Sequence, residues 1–215
     1  MSAKQHGLFI TAAVLAILSS QTARAHPHSF ISMKTEVVAS EGQITALQMR
    51  WKMDEITSAD LLYDAGDAAP DSPVWKRLAA EVMANVLTQH YFTEFWHEGR
   101  KMKFAARPSA YQLAREGHQA VLSFTLPLAT PQPLAGQRYT FATFDPSYFV
   151  DMRYERNSDV TLPDGQAAGC TLAVVTPKPD ESVQAFALSL DKADAPPEDM
   201  ALGKQFAQQV TLQCQ

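Results

Sequence analysis

Residues 28–54 have the sequence HSFISMKTEVVASEGQITALQMRWKMD, which decides the fold of the chain. Apolar, aromatic and β-branched residues fill two runs, 28–40 and 43–54, as expected of two β-strands. Glu41 and Gly42 separate these runs, and a glycine in the second loop position suits a two-residue hairpin turn that needs a positive φ angle. The stretch therefore predicts an antiparallel hairpin.

The hairpin also predicts which residues face each other at its open end. If the loop has only these two residues, Ser29 faces Asp54 and His28 faces Glu55. Directly opposed side chains have Cβ atoms about 5 Å apart. A carboxylate is therefore expected beside the start of the first strand.

A long amphipathic helix is predicted after the hairpin. Apolar residues recur at three- and four-residue spacing beyond Ser72, its expected N-cap, and Pro73, in its first turn. Gly99 is expected to end this helix. His90 and His97 would then lie on one helical face.

The remaining segments complete the predicted fold class. Thr57 and Ser58 are expected to cap a short helix through Leu62, and residues 100–156 alternate strand-like runs with turn residues. Strands grouped apart from the main helix predict the α+β class. We expect antiparallel sheet with one main amphipathic helix packed on one face.

The first 25 residues have the three parts of an export signal. Lys4 gives a positive start, residues 8–18 are apolar and uncharged, and small residues precede the expected cleavage after Ala25. Cleavage there leaves a single periplasmic α+β domain over residues 26–215. The residue directly after the cleavage site is His26 and not a cysteine, so no lipid anchor is predicted there.

Charge and motifs argue against several classes of protein. The chain has 18 Lys and Arg against 23 Asp and Glu, for a net charge of −5. Nucleic-acid binding relies on basic side chains against phosphate, so no nucleic-acid partner is predicted. The sequence also lacks a Gly-rich phosphate loop, a GxSxG elbow and an HExxH motif. We therefore expect a protein that is not an enzyme.

The chain has two cysteines, Cys170 and Cys214. An oxidising compartment allows them to form a disulfide. The alternative is a metal site with two thiolates. The disulfide is favoured because neither cysteine has a CxxC partner or a nearby histidine.

Cleavage after Ala25 would give His26 a free α-amine. This amine and the His26 imidazole can chelate one metal ion, and His28 lies two residues on, which is the same face of an extended chain. Three nitrogens of this kind suit copper, nickel or zinc. Pro27 has no amide hydrogen, which blocks metal binding through that amide and favours the amine with two imidazoles. The alternative is that these residues are only a polar, frayed start.

Several other residues are lower-ranked candidates. Asp54, or Glu55 beside it, is expected to complete a metal site or orient an imidazole, with a helix cap or strand-end charge as the alternative. Asp145 precedes a proline and by default opens a turn, although the turn can also present its carboxylate and the Tyr148 phenol at a sheet end. His90 is favoured as a histidine at the edge of the core.

Together, several segments resemble a family of bacterial periplasmic proteins, ZevA-like, commonly described as periplasmic components of an ABC-type transport system. The matching segments are residues 25–31, Trp51 with Asp54-Glu55, 91–93, 124–128 and 145–149.

The resemblance implies an accessory protein for membrane transporters of the nickel/cobalt type, with a member linked to zinc utilisation. It carries over His26, His28, Asp54 and Asp145 as the positions to watch. It covers residues 26–155 and leaves 156–215 as a C-terminal extension. Many relatives hold an EF-hand-like acidic loop, but the loop before the main helix lacks that ligand order here, so calcium is not predicted.

The resulting hypothesis is a periplasmic protein that binds a divalent transition metal, zinc or nickel first, and supports a membrane permease. One alternative is a copper-binding redox protein that uses an N-terminal histidine brace. The other is an interaction module of a transporter, in which the histidines are incidental.

Overall fold

Two β-sheets and four α-helices make up the part of the chain that the computed structural model describes, which is residues 27–163, 169–190, 196–197 and 200–215. The inward faces of both sheets contribute to one hydrophobic core. In chain order, the strands and helices are β1 (Ser29–Ser40), β2 (Gln43–Met53), α1 (Glu55–Ala65), α2 (Pro73–Thr88), β3 (Thr93–His97), β4 (Arg100–Met102), β5 (Ala110–Glu116), β6 (Gln119–Pro133), β7 (Arg138–Thr143), β8 (Val150–Arg153), β9 (Val160–Thr161), β10 (Cys170–Val175), α3 (Glu181–Ser189), α4 (Leu202–Phe206) and β11 (Gln209–Cys214).

The first sheet has the strand order β5-β6-β2-β1-β8, and β9 also pairs with β1. Its pairs are antiparallel except that β8 and β9 run parallel to β1. The second sheet has the order β10-β11-β7-β3-β4 and is antiparallel throughout. The predicted α+β class is confirmed. The parallel pairs were not predicted, because they join segments more than 100 residues apart.

The hairpin turn forms where it was predicted, but its register changes along the strands. Ser40 pairs with Gln43 at the turn, and the pairing then shifts by one residue between Val38 and Ala39. Such a β-bulge places one extra residue on one strand. The prediction that His28 faces Glu55 and Ser29 faces Asp54 is therefore wrong. Ile31 pairs with Met53, and the next residues along the two strands, Phe30 and Asp54, face each other.

The bulge follows from the positions of the apolar residues in β2. Ile44 is buried near the turn, but the large apolar residues that are buried beyond the bulge, Leu47, Met49, Trp51 and Met53, lie at positions of the opposite parity. Since side chains alternate between faces every residue, a strand can bury both groups only if it changes phase between them. The three-residue spacing from Ile44 to Leu47 is the sequence signal of this change.

The long helix is shorter than predicted. A 3-10 turn, His90–Phe92, connects α2 to β3, so the helix does not reach Gly99. All three residues of this turn have positive φ angles, which are incompatible with continuing an α-helix. The prediction that His90 and His97 share a helical face is wrong, since His97 lies in β3. Aromatic and β-branched residues favour the strand, and its central residue, Phe95, is fully buried.

The short helix α1 begins earlier and ends later than predicted. It begins at Glu55 with Asp54 as its N-cap, so Thr57 and Ser58 lie inside the helix. It extends beyond Leu62 by three residues. Ser58 is buried and accepts a hydrogen bond from the backbone N–H of Ala120 in β6, which attaches the helix to the first sheet.

The two cysteines form the predicted disulfide, which confirms that interpretation. Cys170 and Cys214 are direct cross-strand partners in β10 and β11. Because β11 also pairs with β7, the residues that the resemblance left as a C-terminal extension supply strands to the second sheet. None of the helices in the described ranges has the length and apolar character of a membrane span.

Removing the disulfide is expected to destabilise the fold. The bond joins residues 44 positions apart. In the chain-entropy model, a crosslink that closes a loop of this size lowers the entropy of the unfolded chain and stabilises the fold by about 4 kcal/mol. Cys170→Ser with Cys214→Ser, or reduction of the native protein, should lower the free energy of unfolding by up to this amount. Urea denaturation with and without dithiothreitol measures the effect, and coincident curves would contradict it.

Candidate site at the start of the first strand

His28 is held in place immediately before β1. Its backbone N–H donates to the carbonyl of Phe149 at 2.9 Å, and the two ring centroids lie 4.9 Å apart. The histidine is half-buried, and the next residue, Ser29, is buried. The predicted ligand His26 lies outside the described residues. His28 is thus a fixed point two residues after His26, which would carry the predicted free amine.

Asp54 joins α1 to β1 through its carboxylate. Oδ1 accepts the backbone N–H of Thr57 at 2.8 Å, as expected of a helix N-cap. Oδ2 accepts the Thr57 hydroxyl and the backbone N–H of Phe30, both at 2.7 Å. Burial alone would raise the pKa of Asp54, but the hydrogen bonds from Thr57, Phe30 and Ile56 outweigh it and lower the pKa. Asp54 therefore stays ionised and holds the helix start against the strand start.

Asp145 closes the turn on the other side of β1. Its Oδ1 accepts the backbone N–H of Ser147 at 3.0 Å, and its Oδ2 accepts the backbone N–H of Val150 at 3.0 Å. The Ser147 hydroxyl also donates to both oxygens at 2.9 Å. Val150 begins β8 and pairs with Ser29. This carboxylate therefore orders the strand that runs beside the first residues of β1, as its default turn interpretation predicts.

The C-terminal helix α4 packs against this turn. Tyr148, which has a φ angle of 59°, stacks on Phe206 with the ring centroids 4.0 Å apart. Burial raises the pKa of the Tyr148 phenol, and the nearby carboxylate of Asp151 adds to the shift. The backbone N–H of Gly203 donates to the carbonyl of Pro146 at 2.9 Å. The turn that supports His28 is thus covered by residues from the far end of the chain.

The fold therefore brings most of the predicted site residues to one end of the first sheet. His28, Asp54, Asp145 and Tyr148 all lie on segments bonded to the first residues of β1 or to the turn beside them. Glu55 is exposed in the first turn of α1. His90 does not lie at the edge of the core: it is exposed on the turn after α2, because that helix ends before it.

The contacts favour positioning roles for the two aspartates. Each carboxylate oxygen accepts at least one hydrogen bond from neighbouring groups, so coordination of a metal would compete with these bonds. In the described ranges, no three His, Cys, Asp or Glu side chains lie close enough together to hold a metal ion. The predicted metal-ligand roles of Asp54 and Asp145 remain predictions.

The sequence pattern missed two contributors to this site. Thr57 was predicted to cap α1, but it donates to the true cap, Asp54. Gly203 was not singled out, although a Cβ atom there would lie 1.7 Å from the carbonyl oxygen of Asp145. A glycine inside a short helical segment is a signal for such a close approach.

Comparison with known proteins places the chain among proteins without an established function. A family model described as "Protein of unknown function (DUF1007)" matches residues 11–214. The chain is also 35% identical over 210 residues to an uncharacterized protein of Haemophilus influenzae, covering 97% of this chain and 96% of that protein. Both matches extend past residue 155 into the segment that the resemblance did not cover.

Asp54→Ala is expected to destabilise the protein in a pH-dependent way. Loss of an N-cap costs about 1 kcal/mol at neutral pH. Because the folded-state pKa lies below the ordinary value of 3.8, the stabilisation is fully present above that value and is lost as the pH falls through the folded pKa. Urea midpoints from pH 7 to pH 3 should show a deficit that shrinks at low pH. The exposed neighbour Glu55→Ala is the control, and a pH-independent deficit would contradict the assignment.

Gly203→Ala is expected to destabilise the turn under α4. The added methyl group would overlap a backbone carbonyl, which cannot move aside as a side chain does, and such overpacking costs about 1–3 kcal/mol. Thermal unfolding and the near-UV circular dichroism of Tyr148 report the change. Gln205→Ala, in the same helix but exposed, should leave both signals almost unchanged. Equal stability of the two variants would contradict the close approach.

Proposed function

The chain belongs to the DUF1007 family of proteins of unknown function, and we propose that it is an exported, periplasmic metal-binding protein. In this proposal the export signal is removed after Ala25. The mature protein binds a divalent transition metal, zinc or nickel first, and supports its transport by a membrane permease. The metal is the transported cargo, and no catalytic reaction is assigned to the protein.

The anchoring of His28 is the observation that carries this proposal. A backbone hydrogen bond and a ring contact hold this residue at the start of β1. A ligand that is already fixed loses little conformational freedom when a metal binds. In an extended chain, the side chain two residues earlier lies on the same face. His26 would therefore present its imidazole and its new α-amine beside the His28 imidazole.

The donor set fits the proposed cargo. Two imidazoles and an amine are neutral nitrogen donors, which suit zinc, nickel and copper and are poor ligands for calcium or magnesium. Pro27 keeps its backbone nitrogen out of the donor set. In the proposal, Asp54 and Asp145 bind the two segments that flank His28 and keep its position, instead of ligating the metal themselves.

Metal titration of the correctly processed protein tests the proposal. The N-terminus at His26 is first verified by mass spectrometry. The processed protein should bind zinc or nickel, and His28→Ala should weaken binding by about tenfold or more. A form with an added alanine before His26 should be weakened to a similar degree, since its amine is displaced from the imidazole.

The control is His118→Ala, which removes an exposed histidine from the turn between β5 and β6. This variant should bind as tightly as the wild type. Protonation of the imidazoles should also weaken binding below about pH 6.5. Equal and negligible binding by all the forms would show that the N-terminal metal site does not exist.

A further inference from the structure

Helix α1 directs its largest apolar side chains into solvent. Ile56 is 85% exposed and Tyr63 is 86% exposed, the highest values among the large apolar residues of the described ranges. They are seven positions apart, which places them two turns apart on the same face, about 10 Å from each other. Ala59 lies between them and is also exposed. The outward face of α1 therefore carries an apolar strip of Ile56, Ala59 and Tyr63, with Asp60 beside Ala59.

The fold itself makes no use of this strip. The buried residues of α1 are small, Ser58 and Ala65. Ser58 donates to the carbonyl of Asp54 at 2.7 Å and accepts from the backbone N–H of Ala120 at 2.8 Å, which brings the helix close to the first sheet. Leu61 and Leu62 pack against the core on the inward side of α1, as expected of an amphipathic surface helix. Ile56 and Tyr63 are further large apolar residues on the outward side, and exposed apolar residues grouped in this way are typical of a surface that another molecule covers.

Acidic side chains border the apolar strip. Glu55, Asp60 and Asp64 are exposed on α1, and Asp67 is exposed just beyond its end. The helix contains no Lys or Arg. Charge complementarity across an interface therefore requires a partner with basic side chains beside apolar ones.

The same border makes two other occupants unfavourable. A second copy of the chain, related by a two-fold axis, would place this acidic border against itself. An anionic lipid surface attracts basic segments and would repel these carboxylates. A protein segment that carries Lys or Arg is the occupant that the charges favour.

A further exposed apolar residue lies at the start of β1, which is bonded to the start of α1. Phe30 is 49% exposed, and its backbone N–H is bonded to Asp54, which caps α1. Ser29 and Thr57 join the same two elements through their hydroxyl groups. His28 therefore lies beside one end of the apolar strip.

We propose that Phe30, Ile56 and Tyr63 form a docking surface for an exposed segment of a membrane permease that carries Lys or Arg beside apolar side chains. This inference rests on the proposed function, because the docked permease would lie next to the metal held at His28. The acidic border attracts the segment, and the apolar strip is buried when it docks.

Site-specific photo-crosslinking in cells tests this surface. A photo-reactive residue in place of Tyr63 should crosslink to an integral membrane protein, at a segment that mass spectrometry shows to contain Lys or Arg. Val175, which is 57% exposed on the edge strand β10, is the matched control position and should give no such product. Asp60→Lys with Asp64→Lys should reduce the Tyr63 product about tenfold or more.

A growth assay at limiting zinc supplies the second measurement. Ile56→Ser with Tyr63→Ser should impair growth, whereas Val175→Ser with Leu188→Ser, which also alters two exposed apolar residues, should not. Zinc titration and thermal unfolding of the purified variants should match the wild type, because none of these side chains is buried. Replacing the Lys residues of the crosslinked segment with Glu should restore the charge complementarity. The Tyr63 crosslink should then reappear in the variant that carries Asp60→Lys and Asp64→Lys.

The outcomes separate this proposal from the metal site. Intact zinc binding with unchanged growth and unchanged crosslinking in the variants would overturn the docking surface and leave the metal site standing. Crosslinks only to lipid or to a second copy of the chain would also overturn it. A wild-type protein that binds neither zinc nor nickel but still crosslinks to the permease segment through Tyr63 would support docking and overturn the proposed metal function.

Discussion

The Asp54 carboxylate is the interaction on which the arrangement of the candidate site depends. One oxygen caps α1, and the other holds the backbone N–H of Phe30 at the start of β1. Three hydrogen bonds to one side chain make the ionised form favourable, despite the burial that would oppose it. The helix and the strand are therefore joined at their first residues, and this connection fixes where α1 lies relative to the start of β1.

The β-bulge in the hairpin makes this joint possible. Without the one-residue shift between Val38 and Ala39, Asp54 would face Ser29 instead of Phe30, whose backbone N–H it binds. The shift also lets β2 bury Ile44 near the turn and Trp51 near the open end. Core packing and site geometry are thus two consequences of one irregularity, as is common for bulges near functional residues.

The two surfaces that carry the proposals share the same end of the first sheet. On one side of β1, the Asp145 turn and α4 support His28 through Phe149. On the other side, Asp54 connects β1 to α1 and to its exposed strip of Ile56 and Tyr63. In the two proposals, a metal bound at the N-terminus would lie between this support and a surface suited to a basic partner.

Local chemistry determined much of this from the sequence alone. The hairpin turn, the start of α2, the α+β class and the pairing of Cys170 with Cys214 depend on residues whose preferences act over a few positions or, for the cysteines, on elimination of other partners. The turn role of Asp145 is likewise local, because its carboxylate binds groups within five residues. In these places the tertiary structure agrees with the local preference.

Tertiary structure alone decided the remaining features. Residues 93–97 form a strand instead of the end of a helix because they pair with β7, which lies more than 40 residues away in the chain. The end of α2 depends on the same pairing. The approach of Gly203 to Asp145 brings together residues 58 positions apart. The outward position of Ile56 and Tyr63 depends on which face of α1 meets the first sheet, and Ser58 determines that face. Each of these outcomes depends on a contact between distant segments, whose free energy is absent from any local pattern.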